Sequence, residues 1–334
     1  MNKLQDLKDI VKNFRDKKIL VVGDLIADVY LDGRISRISR EAPVLILEEV
    51  GKKIVAGGAA NVIANAAQLG GKVYAAGITG ADDYAESLKK ILADFNVDTC
   101  GIVTDEDRPT ISKTRVIAGG RATVSQQIVR IDRESKLPPS KIIESELLER
   151  IEKILPQIDG IILSDYGAGT ITDAVKNLLI DFSLEKRLPN MVDSRYRIGD
   201  FKNIGYVKQN DSELAAFIKF EIDDEAKLID AGKILLALLD AEGVLITRGE
   251  LGMTLFEKSG AVHNIPVTDK SEVFDVSGAG DTCVATFMLA MTAGATPVDS
   301  ARLANYAAGV AVRKLGTSTV NANELLTALN KFGD

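Results

Sequence analysis

Histidine is all but missing: a chain of 334 residues carries one, His263. Serine–histidine–aspartate catalysis, cysteine–histidine catalysis and histidine-rich metal sites would all have to share that single ring. It lies in AVHNIPV, a strand-like segment after an expected hairpin, and a structural role is expected for it. Base chemistry therefore leans on carboxylates or lysine. Cysteine is nearly as scarce. Cys100 and Cys283 are far apart, fit neither a disulfide framework nor a CxxC zinc spacing, and are expected to be small buried apolar residues.

An excess of basic charge is absent too. Against 41 Lys and Arg stand 48 Asp and Glu, a net charge of −7, which leaves no footprint for nucleic acid or an anionic membrane surface. Positive charges that matter must be local. No run is apolar enough to span a bilayer, and MNKLQDLKDIVKNFRDKK mixes charges with apolar residues at helical spacing instead of forming the apolar core of a signal peptide. A cytoplasmic protein is expected. Repeats, low-complexity tracts and Pro/Gly-rich linkers are lacking, as are a GxxxxGK[ST] P-loop and a GxGxxG fingerprint. A bound nucleotide would need another cradle.

What is present is a hydrophobic content of 46%, enough for a large core. Short β-branched runs alternate with amphipathic stretches: KKILVVGD (17–24), AANVIANAAQLG (59–70), KVYAAGITG (72–80), DDYAESLKKILADF (82–95), GIILSD (160–165), NMVDS (190–194) and GVLITRG (243–249). The alternation predicts an α/β fold, a mostly parallel sheet covered by helices, in one domain over 1–334. Stretches 29–54 and 109–132 depart from it. They alternate polar and apolar residues with turn signals, and predict antiparallel excursions that pair as a small sheet, a lid over one end of the core.

In an open α/β sheet, ligands bind beyond the carboxyl ends of the strands. Polar or glycine-rich clusters fall there: Gly23, Asp24 and Asp28; Gly57, Gly58 and Asn61 before the first long helix; Ser164-Asp165-Tyr166; Asn210-Asp211-Ser212-Glu213; and Thr247-Arg248-Gly249. Each also reads as turn formers, a helix entry or a capping pair. The most informative stretch is EVFDVSGAGDTCVATFMLA (272–290), where Gly278, Ala279 and Gly280 precede Asp281 at the mouth of an apolar helical pattern. A cap needs one small polar residue, not three minimal ones in front of it. Bare backbone lets an anion approach the N–H groups and the positive helix end, with Asp281 beside it as a base.

Asp275-Val276-Ser277-Gly278-Ala279-Gly280-Asp281 matches a D-[TS]-x-G-A-G-D signature, and Gly57-Gly58 with Asn61 matches a GG-x-x-N element. In both, and over essentially its whole length, the sequence resembles the ribokinase-like carbohydrate kinases of the PfkB family. The resemblance implies a three-layer αβα fold with a β-sheet lid and ATP-dependent phosphorylation of a sugar hydroxyl. Ser36-Arg37-Ile38-Ser39, Glu41-Ala42-Pro43-Val44, Leu163-Ser164-Asp165-Tyr166 and Lys314-Leu315-Gly316-Thr317-Ser318-Thr319 are most similar to its heptose 7-phosphate kinase branch. The branch's proline is replaced by Arg40, its Asp-Pro-Lys-Gly by Asp193-Ser194-Arg195-Tyr196, and its Thr-Pro-Asn-x-x-Glu by Lys208-Gln209-Asn210-Asp211-Ser212-Glu213. Fructose 1-phosphate, tagatose 6-phosphate, ribose or a nucleoside remain alternative substrates, and an inactive sugar-binding module an alternative function.

The resemblance also implies roles. Asp281 would be the general base and Gly278, Ala279 and Gly280 the anion hole. Asp24, Asp28, Gly57, Gly58, Asn61 and Asp165 would hold the sugar, and Asn210 and Glu213 would organise water-bound Mg²⁺ at the ATP phosphates. Thr247, Gly249 and Gly252 would shape the nucleotide shelf, with Asn305 near the adenine. Asp275 and backbone carbonyls near Ser277, Ala311 and Gly316 would hold a monovalent cation, K⁺. A phosphorylated substrate would need local positive charge, for which Arg37, Arg40, Lys113 and Arg115 are candidates on the lid and Arg195 and Arg197 on core loops. A homodimer formed through the lid is the expected assembly. One histidine cannot supply the HxGH motif of a nucleotidyltransferase, so a kinase alone is expected.

Overall fold

The computed structural model describes residues 3–119, 125–135, 137–268 and 273–333. Residues 120–124 of the second lid excursion lie outside them. The strands are β1 (Lys18–Gly23), β2 (Leu25–Ile38), β3 (Leu45–Gly58), β4 (Lys72–Thr79), β5 (Asp98–Thr104), β6 (Ile111–Gly119), β7 (Gln126–Arg133), β8 (Gly160–Asp165), β9 (Asn190–Ser194), β10 (Tyr206–Asn210), β11 (Gly243–Thr247), β12 (Met253–Glu257) and β13 (Val262–Ile265). The helices are α1 (Lys3–Lys12), α2 (Ala59–Gln68), α3 (Asp83–Asp94), α4 (Lys141–Ile154), α5 (Asp173–Lys186), α6 (Asp211–Ile218), α7 (Glu225–Leu239), α8 (Ala279–Thr292), α9 (Pro297–Ala311) and α10 (Ala322–Phe332). Among the described residues, no helix is long and apolar enough to cross a membrane.

A nine-stranded sheet runs in the order β13-β12-β11-β10-β9-β8-β1-β4-β5. It is parallel from β11 to β5 and ends in the antiparallel hairpin of β12 and β13. Its central strands are apolar on both faces because helices cover both. Ile19 and Val21 of β1 pack with α1, α2, α3, α8, α9 and α10, whereas Leu20 and Val22 pack with α4, α5, α6 and α7. Successive side chains of a strand point to opposite faces, so one short run serves two cores. This is the three-layer αβα architecture.

The lid is a four-stranded sheet, β3-β2-β6-β7. Each excursion is an antiparallel hairpin, and parallel pairing of β2 with β6, from Ile26↔Ile111 to Arg34↔Gly119, joins the two. The lid strands start nearer the core than polar–apolar alternation indicates. Leu25 to Val29 and Ala56 to Gly58 are buried, so the pattern that marks a half-exposed strand begins only beyond these roots. The cysteines split. Cys283 is buried in α8 as expected, but Cys100 is exposed, because it lies on β5 at the open edge of the sheet, where only part of the strand is covered. His263 is structural, meeting Glu257 across the β12–β13 hairpin at 2.7 Å.

One carboxylate ties the centre of the sheet to the loop after β8. Asp24, between β1 and β2, is fully buried. Its Oδ2 accepts from the Tyr166 and Ala168 N–H groups at 2.9 and 3.0 Å, and its Oδ1 from that of Thr170 at 3.1 Å. Its own N–H donates to the Ser164 carbonyl at 3.1 Å. Removing the carboxylate strands three N–H groups, each worth about 1–3 kcal/mol when left unpaired in the interior. Asp24→Ala should therefore lower the unfolding free energy by about 3 kcal/mol or more, read as a drop in the urea midpoint. A surface-like change of about 0.5 kcal/mol or less would contradict this role.

Candidate active site

Helix α8 begins at Ala279, with Gly278 as its N-cap at φ +79°. A Cβ on Gly278 would come within 2.7 Å of Asn61 Nδ2, so this position needs glycine for both conformation and space. The Ala279 N–H turns back to the Val276 carbonyl at 3.3 Å. The N–H groups of Gly278 and Gly280 meet no acceptor among the described residues, leaving the first turn open to an anion. Asp281 is the third residue of the helix, not its cap, and its carboxylate faces away from the helix's own N–H groups. Asn61 Nδ2 of α2 donates to Oδ2 at 2.7 Å, and the Tyr166 hydroxyl donates to Oδ1 at 2.8 Å. Burial pushes the Asp281 pKa up to about 6, against the lowering effect of these two bonds.

A cavity of about 380 Å³ opens in front of this carboxylate, beyond the ends of β8, β9 and β10 and under the lid. Asp28, Gly58, Lys113, Arg115, Asp165, Arg195, Asn210, Glu213, Gly278, Gly280 and Asp281 line it, so residues spread over 250 positions of sequence converge here. Arg115 of β6 pairs with Asp28 of β2 at 2.6 Å and lies over the Tyr30 ring at 5.5 Å. Gly57 makes room for Asp28, since a Cβ there would lie 2.5 Å from its Oδ2. Asp165 accepts from the Ser194 hydroxyl at 2.7 Å and the Gly167 N–H at 3.0 Å; burial raises its pKa.

Several expectations change. Asp24 does not line the cavity, because backbone donors consume its carboxylate. Arg37 and Arg40 are exposed towards the far end of the first lid hairpin. Arg197 is held by Asp200 at 2.9 Å and Asp173 at 3.2 Å. Asn305 is buried and donates to the Pro266 carbonyl at 2.7 Å, a tether for the segment after β13. Thr247 is in register with Asn210 at the end of β11, and Gly249 and Gly252 bracket the turn that follows, both at positive φ. None of the three lines the cavity, though Thr247 neighbours the lining residue Asn210.

Four contributors carry no role in the sequence reading. Lys208 of β10 is buried, pairs with Asp193 of β9 at 2.9 Å, and would sit 2.9 Å from a Cβ on Gly280. Burial works against its charge, yet Asp193 and Glu213 more than restore it and raise its pKa above the ordinary lysine value. Arg130 of β7 lines the cavity while holding Asp132 through two bonds, at 2.8 and 2.9 Å. Tyr166 is the third and Asp193 the fourth. Lys208 and Asp193 lie in segments that depart from the branch pattern, and Tyr166 ends a polar cluster after β8, but none of these positions indicated a role.

The donor set suits a phosphate-bound cation only through water. Asn210 and Glu213 form a capping box on α6, with bonds of 2.6 and 2.9 Å, and no cluster of metal-ligating side chains occurs among the described residues. Asp275 spends both oxygens on backbone, accepting from Ser277 N–H at 2.8 Å and Gly316 N–H at 2.9 Å. Beside it, the buried hydroxyls of Thr317 and Ser318 have no partner among the described residues. Such orphaned oxygens fit a charged ligand at this corner.

Curated relatives include the bifunctional protein HldE of Geobacter metallireducens, 38% identical over 326 residues that make up 97% of this chain and 65% of the relative. HldE of Trichlorobacter lovleyi is 39% identical over 94% of this chain and 63% of its own length. The chain thus spans a little under two thirds of these relatives. Solved structures with the same fold include Arabidopsis thaliana ribokinase complexed with ribose and ATP, with TM-score 0.74, 20% identity and coverage of 94% and 98%. Escherichia coli phosphofructokinase-2 in complex with potassium has TM-score 0.74 and 18% identity, with 95% and 99% covered. The model of the pfkB family carbohydrate kinase matches residues 16–324, and the chain belongs to that family: it is a phosphotransferase that acts on an alcohol group.

Proposed function

We propose that this kinase transfers the γ-phosphoryl group of ATP to a hydroxyl of a sugar that already carries a phosphate, most consistent with the 1-hydroxyl of a heptose 7-phosphate, and that Asp281 is the general base. The observation that carries the reading is the convergence of a buried carboxylate, an open helix N-terminus and a ring of cations on one cavity. Asp281 takes the proton of the acceptor hydroxyl as its oxygen attacks phosphorus. The N–H groups of Gly278 and Gly280, with Lys208 behind them, meet the charge on the transferring oxygens. Bound Mg²⁺ would supply further charge neutralisation at the phosphates, held through water by Asn210 and Glu213. The similarity to HldE kinases supports the heptose assignment; the departures around Arg195 and Lys208 keep other sugar phosphates as the competing reading.

Charge decides between a phosphorylated and a neutral substrate. A protein of net charge −7 repels a dianion unless cations are gathered locally; Lys113, Arg115, Arg130, Arg195 and Lys208 line this cavity together with Asp28, Asp165, Asp193, Glu213 and Asp281, so the reading rests on the cations that those acids leave unpaired. Among the described residues, the Arg195 side chain has only the Tyr196 ring beneath it, at 5.9 Å, and Lys113 only a long contact with Asp132 at 3.5 Å. Both are thus available to a ligand. We also propose K⁺ at the Asp275 corner, and pairing of two copies through the outward apolar side chains of the lid, Ile38, Val50, Val129 and Ile131, a state that sedimentation of the purified chain reads.

Asp281→Asn should lower kcat by about 10²–10⁴ while ATP still binds; near-full turnover would remove the base role. A base must be ionised, and burial raises this carboxyl to about 6. Activity should therefore fall as pH drops through about 6, where an ordinary aspartate would hold activity to near 4. Across a panel of sugars and sugar phosphates, Arg195→Ala and Lys113→Ala should each raise KM about 10-fold or more for a sugar phosphate, the loss of one charge-assisted contact, with little effect on a neutral sugar. Preference for neutral sugars over every sugar phosphate would overturn the heptose phosphate reading. Replacing K⁺ by a bulky organic cation should slow the reaction, and equal rates would remove the cation site.

A further inference from the structure

Tyr166 is held at three points. Its N–H donates to the buried Asp24 carboxylate at 2.9 Å, its ring packs with Ile26, Ile111 and Ala168, and its hydroxyl reaches Asp281 Oδ1 at 2.8 Å. Phenylalanine would fill the same apolar seat. The hydroxyl therefore answers a second requirement, set by Asp281. On the opposite side of that carboxylate the Asn61 amide holds Oδ2 at 2.7 Å. Two donors from α2 and from the loop after β8 thus fix the plane of a carboxylate carried by α8.

We propose that Tyr166 is a positioning residue of this kinase: its hydroxyl, paired with the Asn61 amide, holds the Asp281 carboxylate in the orientation from which it takes the acceptor's proton. The proposal rests on the reading of Asp281 as the general base. In the step it serves, the acceptor O–H breaks and its proton passes to Asp281, the acceptor oxygen bonds to the γ-phosphorus, and the bond to the bridging oxygen breaks to leave ADP. Tyr166 keeps its own proton, since burial first, and the neighbouring Asp281 charge next, raise its pKa well above the usual phenol value. The other charged groups facing this pair are Asp193 of β9, which opposes ionisation of Asp281, Lys208 of β10, which favours it, and Asp28 of β2, which opposes ionisation of Tyr166. Asp165 and Arg115 complete the charged wall of the cavity nearby.

The seat has a further consequence. Ile26 and Ile111 are the paired roots of β2 and β6, so Tyr166 stands between the lid and the base, and the lid's position bears on how well Asp281 is aimed.

The test compares kcat/KM against pH for the unaltered kinase, Tyr166→Phe and Asp281→Asn, with circular dichroism to confirm the fold. A hydrogen bond to a charged group is worth about tenfold or more, so Tyr166→Phe should lower kcat by about that factor. It should leave KM for ATP unchanged and move the acid limb to higher pH, because losing a donor disfavours the carboxylate. A ring-fluorinated tyrosine at position 166, whose hydroxyl donates more strongly, should move the limb the other way. A limb unmoved in both variants reduces Tyr166 to packing and sinks the proposal, whatever happens to kcat. If Asp281→Asn stays active, the base reading itself fails and takes this proposal with it. If Asp281→Asn is inactive while Tyr166→Phe matches the unaltered kinase, only the positioning role is lost.

Discussion

A carboxylate is buried at the start of a helix with no ion-pair partner among the described residues, and much of the fold around it follows from that cost. Taking an ionised group out of water is expensive unless hydrogen bonds and nearby charge compensate. Here the compensation comes from Asn61 on α2 and Tyr166 after β8, and from Lys208 of β10, whose ion-pair partner Asp193 of β9 works against it. The order β10-β9-β8-β1 sets those elements side by side. What compensation remains incomplete is visible as a pKa near 6, a value suited to a base that works near neutrality yet accepts a proton readily.

The lid solves a second electrostatic problem. Its cations approach the cavity on strands, not on long loops: Lys113 and Arg115 sit on β6 and Arg130 on β7, and the parallel join of β2 to β6 fixes their register. Acidic partners keep them in place without hiding them. Asp28 takes Arg115, and Asp132 takes Arg130 with a weaker hold on Lys113. An arriving anion would compete with these carboxylates for the lid cations.

The layered core was legible in the sequence because buried parallel strands write themselves as continuous apolar runs: GIILSD and NMVDS correspond residue for residue to β8 and β9. The lid was legible as alternation, though only where one face meets water, so its buried roots were missed. At the site, Gly278 and Asp281 were readable from local chemistry, since bare backbone before an acid has few other uses. Asp24 looks like a polar residue placed for a ligand, yet its carboxylate accepts from backbone N–H groups of residues 166 to 170 that sequence spacing cannot bring near. The Asn305 amide likewise donates to the distant carbonyl of Pro266. Lys208 and Tyr166 escaped because nothing in their own neighbourhoods points to Asp281.

The fate of Asp24 changes how the front of the site is understood. A carboxylate that binds three amides in a dry interior is a rigid fixture, and the loop it fixes carries Tyr166 at its first position. Its influence on Asp281 then passes through a backbone amide, an aromatic ring and a hydroxyl, each held by a different part of the fold. Asp28 and Asp165, by contrast, line the cavity. Asp165 is itself braced by the Ser194 hydroxyl from β9. The separation is physically sensible: the acid that meets no solvent sets geometry, and the acids that face the cavity, though braced by Arg115 and Ser194, are the ones within a ligand's reach.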